Sequence, residues 1–290
     1  MTSSPGSGLV VVDKPGAMTS HDVVSRVRRL AGTRKVGHAG TLDPMATGVL
    51  VLGINRATRL LGHLMLTEKA YDATIRLGVA TTTDDAEGEV TATADAGALT
   101  EEKVHRALAA FVGDIEQVPT AVSAIKVGGK RAHQRVRDGE EFTLAARPVT
   151  VHEIVPGPLR HEGATADLDV SVRCSSGTYI RAIARDLGAA LGLGGHLTAL
   201  RRTAVGAFDL GTARTLEQLG EELTVVPIGD AARGTFPAYD LDEQQAADVR
   251  VGRRLDIGLD TLTAVFAPDG EFLALYEPRD ETAKAVAVFV

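Results

Sequence analysis

Strand-like and helix-like stretches interleave along this chain with no steady strand–helix–strand rhythm, and that irregularity constrains the fold more than any other feature. In Tyr71–Val79, Ala73, Ile75 and Leu77 alternate with Asp72, Thr74 and Arg76. In Ala166–Cys174, Leu168, Val170 and Val172 alternate with Asp167, Asp169, Ser171 and Arg173. A period of two marks a strand with one dry and one wet face. Leu9–Val12, ending in the turn Asp13-Lys14-Pro15-Gly16, and Val151–Val155 read as further strands. Helices are predicted where Ser20 caps Val23, Val27 and Leu30 ahead of Gly32, where Thr100 caps a turn stapled by Leu99 and Val104, and where Thr178 caps a stretch running to Leu191. The order favours an α+β protein, with a mixed, largely antiparallel sheet flanked by helices, over a doubly wound one. From Asp230 the character changes to a small β-rich module: a helical stretch Asp242–Val251, then Leu262–Phe266, Glu271–Tyr276 and Lys284–Val290. The expected domains are a tail over 1–8, a main domain over 9–230 and the β-rich module over 231–290.

Of the 290 residues, 44% are hydrophobic, enough for a sizeable core. No run approaches the roughly 18 apolar residues that span a bilayer, and the N-terminus has neither a basic segment nor an apolar one of the secretory kind. Cys174, the single cysteine, forms no internal disulfide and no zinc site. These features predict a cytoplasmic protein away from membranes. The formal charge of −7 is unevenly spread. Residues 1–70 carry nine basic and four acidic groups, whereas residues 71–119 carry three and ten. An acidic protein is a poor nonspecific coat for nucleic acid, whose binding is mostly phosphate neutralisation. A local basic face that recognises one shaped RNA is compatible with the pattern. With seven Phe, four Tyr and no Trp, a broad stacking platform for single strands is not.

Two residues stand out chemically. Asp43 sits in the glycine-rich loop Gly37-His38-Ala39-Gly40-Thr41-Leu42-Asp43-Pro44, either as an ordinary Asp-Pro turn or as a carboxylate held out on a rigid loop. The loop lacks the Gly-Lys-Ser/Thr ending of a phosphate-binding P-loop. Arg181 falls in the first turn of the helix after Thr178, where a cation meets the positive end of the helix dipole. It belongs either to a surface network with Arg185 and Asp186 or to a site holding a carboxylate or phosphate, with Asp43 as a candidate partner. Tyr71 and Tyr179 begin a strand and a helix beside the basic blocks.

Taken together, these segments resemble the TruB-type family of tRNA pseudouridine synthases. The resemblance is carried by Val12–Asp22, Gly37–Pro44 with Thr47-Gly48, Lys69-Ala70-Tyr71, Ser123–Lys126 with Gly129, Arg147-Pro148-Val149, Cys174–Arg181, Gly195-His196-Leu197 and Leu200-Arg201-Arg202. It implies a pseudouridine synthase fold with a PUA-like C-terminal domain and conversion of a uridine in the T-loop of tRNA. No metal or organic cofactor and no obligate protein partner is implied. In this reading Asp43 is the catalytic carboxylate, paired with Arg181. His38 supports the disrupted RNA loop, Tyr71 stacks on the flipped uracil, and Tyr179 and Leu200 line the pocket. Lys14, Lys126 and the Arg26–Lys35 cluster, with Arg34 and Lys35 in it, are expected phosphate contacts. The chain departs from the family pattern at Val118–Val122 and at His133, and residues 236–290 carry five basic and eleven acidic groups. Two other classes compete: a non-catalytic RNA-binding or tRNA-folding module, and a metal hydrolase drawing on His38, Asp43, Asp84, Asp85 or His196.

Overall fold

The computed structural model describes residues 6–123, 125–140 and 142–290; the side chains at 126, 127, 131 and 133 lie outside that description. In chain order the elements used below begin with β1 (Gly8–Lys14), α1 (Ser20–Leu30), β2 (Val36–His38), β3 (Thr47–Ile54) and β4 (Lys69–Leu77). There follow α2 (Glu101–Ala109), β5 (Gly113–Gln117), β6 (Arg147–Glu162), β7 (Thr165–Cys174), α3 (Ile180–Ala190) and β8 (Gly195–Val205). The chain closes with β9 (Val226–Pro227), α4 (Ile228–Thr235), β10 (Ala238–Asp240), α5 (Glu243–Arg250), β11 (Thr263–Phe266), β12 (Phe272–Arg279) and β13 (Thr282–Val288). The chain divides into two compact units, Met1–Pro44 with Gly48–Leu66 and Val205–Val290, and Met45–Thr47 with Thr67–Ala204. No helix among the described residues is long and apolar enough to cross a membrane.

In the first unit β3 pairs antiparallel with β1, from Gly8↔Ile54 to Lys14↔Gly48, and with β2. Both faces of β1 and β3 are covered, which is why Leu9–Val12 and Val49–Leu52 read as unbroken apolar runs. α1 buries Val23, Val24 and Val27. Its cap is Thr19 rather than the expected Ser20: Thr19 Oγ1 accepts from the amide of Asp22, and the Asp22 carboxylate accepts from the amide of Thr19, a reciprocal capping box. The C-terminal strands form a second sheet in the order β10–β11–β12–β13, with β10 and β11 parallel and the other pairs antiparallel. One set of its apolar residues encloses Leu241, Val249, Leu273 and Tyr276. Another set, Phe266, Phe272, Leu275 and Phe289, shares a core with Leu9, Val11, Val49 and Val51. Arg56 and Arg59 fasten the chain end by donating to the carbonyls of Phe289 and Val288.

In the second unit β4, β7, β6 and β5 follow one another antiparallel, and β8 lies on the other side of β4. The alternation seen in the sequence is a true two-faced sheet. Tyr71, Ala73, Ile75, Leu77, Leu168, Val170 and Val172 are buried on one face. On the other, Arg76 meets Asp167, Thr74 meets Asp169 and Ser171 meets Asp72 across the strands. β6 runs well beyond the expected Val151–Val155, because irregularities at Val151/Glu153 and Pro156/Leu159 let it bend and continue its pairing with β7. α3 lies backbone to backbone on the start of β8: a Cβ on Gly188 would stand 2.4 Å from the Gly195 nitrogen. Glycine at both positions therefore sets how closely the helix approaches the strand.

Candidate active site

Asp43 is half-buried in the loop between β2 and β3, and its neighbours on both sides are tied down. The fully sequestered hydroxyl of Ser20 donates to the carbonyl of Leu42 (3.1 Å) and accepts from the amide of Leu42 (2.9 Å). Lys14 is fully buried, and its ammonium donates to the carbonyls of Pro15 (2.9 Å), Met18 (2.6 Å) and Pro44 (3.2 Å). A buried ammonium needs such acceptors to offset its lost hydration. Lys14 is therefore a clamp on the loop that carries Asp43 and not the phosphate contact that the family resemblance implies. His38 lies half-buried on β2, with the ring of His21 edge-on to it at 5.8 Å. Arg34 and Lys35 are exposed just ahead of β2. Lys126 has its side chain outside the described residues, and so does His133.

The other candidates stand in the second unit. Tyr71 is on the buried face of β4, two residues from Lys69, and Leu200 is buried on β8. Burial, reinforced by the charge of Arg202, holds the Lys69 ammonium down at about 8. Cys174 pairs with Lys69 across the strands and is fully buried, which pushes its thiol up to about 11 and leaves it no nucleophile near neutral pH. α3 begins one residue later than expected. Tyr179 is its cap without a side-chain cap bond, while Thr178 donates to the Ser175 carbonyl. The side chain of Gln117 grips the helix start instead, accepting from the amide of Tyr179 (2.8 Å) and donating to its carbonyl (3.1 Å).

Arg181 is thus the second residue of α3, at the positive end of the helix, and it is buried. Its guanidinium donates to the carbonyls of Thr83 (2.8 Å) and Val122 (2.9 Å) and meets the carboxylate of Asp85 at 3.3 Å. The side chains of Arg181 and Asp85 are only 5% and 4% exposed. Asp85 divides its two oxygens. Oδ1 accepts from the Thr83 hydroxyl (2.5 Å) and the Glu87 amide (3.1 Å), which builds the turn, and Oδ2 faces Arg181. The segment Thr81–Glu89, part of the strongly acidic stretch 71–119, thus supplies a buried counter-charge. One turn along α3, Arg185 meets Asp84 (3.4 Å) and Asp186 (2.8 Å) and donates to the Val118 carbonyl (2.7 Å). Burial pushes the Asp84 carboxyl above its ordinary range, against the pull of Arg185 and Arg181.

Sequence reasoning missed Asp85, Ser20 and Gln117 as parts of this frame. The adjacent acids Asp84-Asp85 and the arginines at helical spacing, 181 and 185, were the available signal. The metal-site reading fares differently. Asp84 and Asp85 are taken up by arginines, and His196 Nδ1 lies 2.9 Å from the Val79 carbonyl. Among the described residues no three His, Cys, Asp or Glu side chains are grouped to hold a metal ion.

Comparison with known proteins gives this geometry its context. Residues 28–180 match the N-terminal domain of TruB family pseudouridylate synthases, residues 181–230 the C-terminal domain of tRNA pseudouridylate synthase B, and residues 236–290 the C-terminal domain of tRNA pseudouridine synthase II. Among solved structures, a chain of a Cbf5–Nop10–Gar1 complex is similar with a TM-score of 0.75 and 26% identity, over 98% of this chain and 85% of that one. Fold and matches together define a pseudouridine synthase. The tRNA pseudouridine synthase B of Arthrobacter sp. (strain FB24) is 59% identical over 98% of this chain and 96% of its own length. That of Streptomyces griseus is 58% identical over 99% and 98%. The chain belongs to the TruB family of pseudouridylate synthases, and its reaction is an isomerisation that forms pseudouridine in tRNA.

Proposed function

We propose that the uridine converted lies in the T-loop of tRNA and that Asp43 is the catalytic carboxylate. The observation that carries this reading is the double fastening of the loop, by Ser20 at Leu42 and by Lys14 at Pro44, which fixes the backbone on both sides of one carboxylate. A rigid carboxylate suits the chemistry. As the C1′–N1 bond breaks, its electrons leave with the uracil and C1′ becomes electron-poor, the same demand that glycosidases meet with Asp or Glu. Asp43 either traps C1′ directly or acts as a base on a route through a glycal. The uracil then turns in the pocket, C5 bonds to C1′, the C5 proton is lost and N1 takes up a proton. Atoms balance with no net redox change or hydrolysis, and no cofactor is required.

The target base is flipped out of its loop, which costs a few kcal/mol of stacking that protein contacts offset. Tyr71 stacks on the flipped uracil, Tyr179 and Leu200 line the pocket, and Arg181 contributes positive charge to substrate binding. His38 supports the opened loop, and Arg34 and Lys35 contact phosphates. Residues 231–290 form the PUA-like domain that helps grip the tRNA, and the enzyme works in the cytoplasm. Mapping pseudouridine by carbodiimide derivatisation followed by mass spectrometry, in a tRNA transcript treated with the protein, tests the target. The expected result is one new pseudouridine, in the T-loop, lost when that uridine is replaced by cytidine. An unchanged pseudouridine yield after that replacement would overturn the assignment.

A further inference from the structure

Arg181 is held by groups that do not belong to its own helix. Its partners lie on two separate segments, Thr83 and Asp85 on one, Val122 on the other. Any slip of either segment along α3 would therefore turn the guanidinium. Arg185, one helical turn of about 5.4 Å further on, bonds the same two segments again, at the Asp84 carboxylate and the Val118 carbonyl. Two arginines on one face of α3 thus bridge the same pair of segments as two parallel rungs, and Gln117 ties the second segment to the helix start at Tyr179.

The outer rung is built for reach rather than for contact with substrate. Asp84 has φ +60°, a left-handed conformation that Asp adopts more readily than most residues. From that bend, adjacent carboxylates reach guanidinium groups four residues apart on the helix. The backbone of the bend is anchored from its other side, where the Leu197 amide on β8 donates to the Asp84 carbonyl (3.0 Å), three residues before Leu200. The side chains of Arg185 and Asp84 are 29% and 14% exposed, so this rung can be altered without opening the core around Arg181.

We propose that Asp84 and Arg185 are positioning residues for pseudouridine formation: they lock the 83–85 turn and the 118–122 segment to α3 and so hold Arg181 in its working orientation. The proposal rests on the reading of Arg181 as a substrate-binding residue. It assigns to the pair an effect on the chemical step, through the flipped uridine that Arg181 meets, and leaves the bulk of tRNA affinity to the phosphate contacts elsewhere on the chain.

The test compares wild type with Arg185→Gln, Asp84→Asn, the double variant and Arg185→Lys. Single-turnover pseudouridine formation in a tRNA transcript, tRNA affinity by filter binding and thermal melting are measured for each. Each single charge-removing variant is expected to slow the single-turnover step on the order of tenfold, as small misplacements of working groups do, with tRNA affinity within about twofold. The double variant should be no slower than the slower single one, because both break the same rung, and Arg185→Lys should regain most of the rate. Asp84→Asn and Arg185→Lys carry the comparison if Arg185→Gln does not fold. Wild-type rates in the folded single variants, additive losses in the double variant, or loss of tRNA affinity in step with rate would each overturn the proposal. If wild type converts the transcript while Arg181→Ala does so equally well, the reading of Arg181 falls, and the positioning claim with it.

Discussion

Replacing Asp85 by Asn removes one charge from the Arg181–Asp85 pair while keeping nearly the same shape. The amide oxygen still accepts from the Thr83 hydroxyl and the Glu87 amide, so the turn survives, and Arg181 keeps the carbonyls of Thr83 and Val122. What is lost is the counter-charge of a guanidinium only 5% exposed. Removing one partner of a buried ion pair costs about 3–5 kcal/mol, and the surviving hydrogen bonds place this case near the lower end. At roughly 2–4 °C per kcal/mol for a domain of this size, the melting temperature should fall by about 6–12 °C. Arg181 should also lose its fixed orientation, slowing the single-turnover step by at least about tenfold. Thermal melting by circular dichroism and rapid-quench measurement of pseudouridine formation read the two effects separately. A variant that melts within about 2 °C of wild type and reacts at the wild-type rate would refute the argument that this buried pair is what holds Arg181.

Two further outcomes follow from other parts of the frame. Ser20→Ala leaves the Leu42 amide and carbonyl without their buried partner, which should cost about 1–3 kcal/mol and lower the single-turnover rate more than tRNA affinity; equal losses in both would show that the clip does not serve Asp43. For Lys69, burial holds the folded ammonium at about 8, below its ordinary range. The unfolded chain therefore binds the extra proton between about pH 8 and 10.4, and folding stability gains from this group as pH rises through that window. Melting curves across the window should accordingly rise more, or fall less, with pH in wild type than in Lys69→Met. Parallel curves would show that Lys69 is not destabilised in its charged form.

The sheet was legible because period-two alternation in β4 and β7 records a real difference between a dry and a wet face. Legibility failed where a residue's chemistry and its burial point in opposite directions. Lys14 reads as a surface cation, yet the strand before it is covered on both faces and carries it into a nest of carbonyls. Asp85 reads as one acid in a solvated loop, because its partner lies 96 residues on and no local pattern links them. At the start of α1, Thr19 and Ser20 are both competent caps. The spacing from Thr19 to Asp22 decided between them, and it freed the Ser20 hydroxyl for the loop that carries Asp43. The glycine-rich loop itself was visible in the sequence, but the groups that stiffen it came from two distant stretches, which only tertiary packing brings to it.

The most direct test of the central claim is tritium release from a T-arm stem-loop labelled at uridine C5, comparing wild type with Asp43→Asn under single turnover, with RNA binding measured in parallel. Release by wild type alone, with both proteins binding the RNA, is the result the account predicts. Release by Asp43→Asn at the wild-type rate would contradict it, because the reaction would then run without the carboxylate that the fastened loop presents.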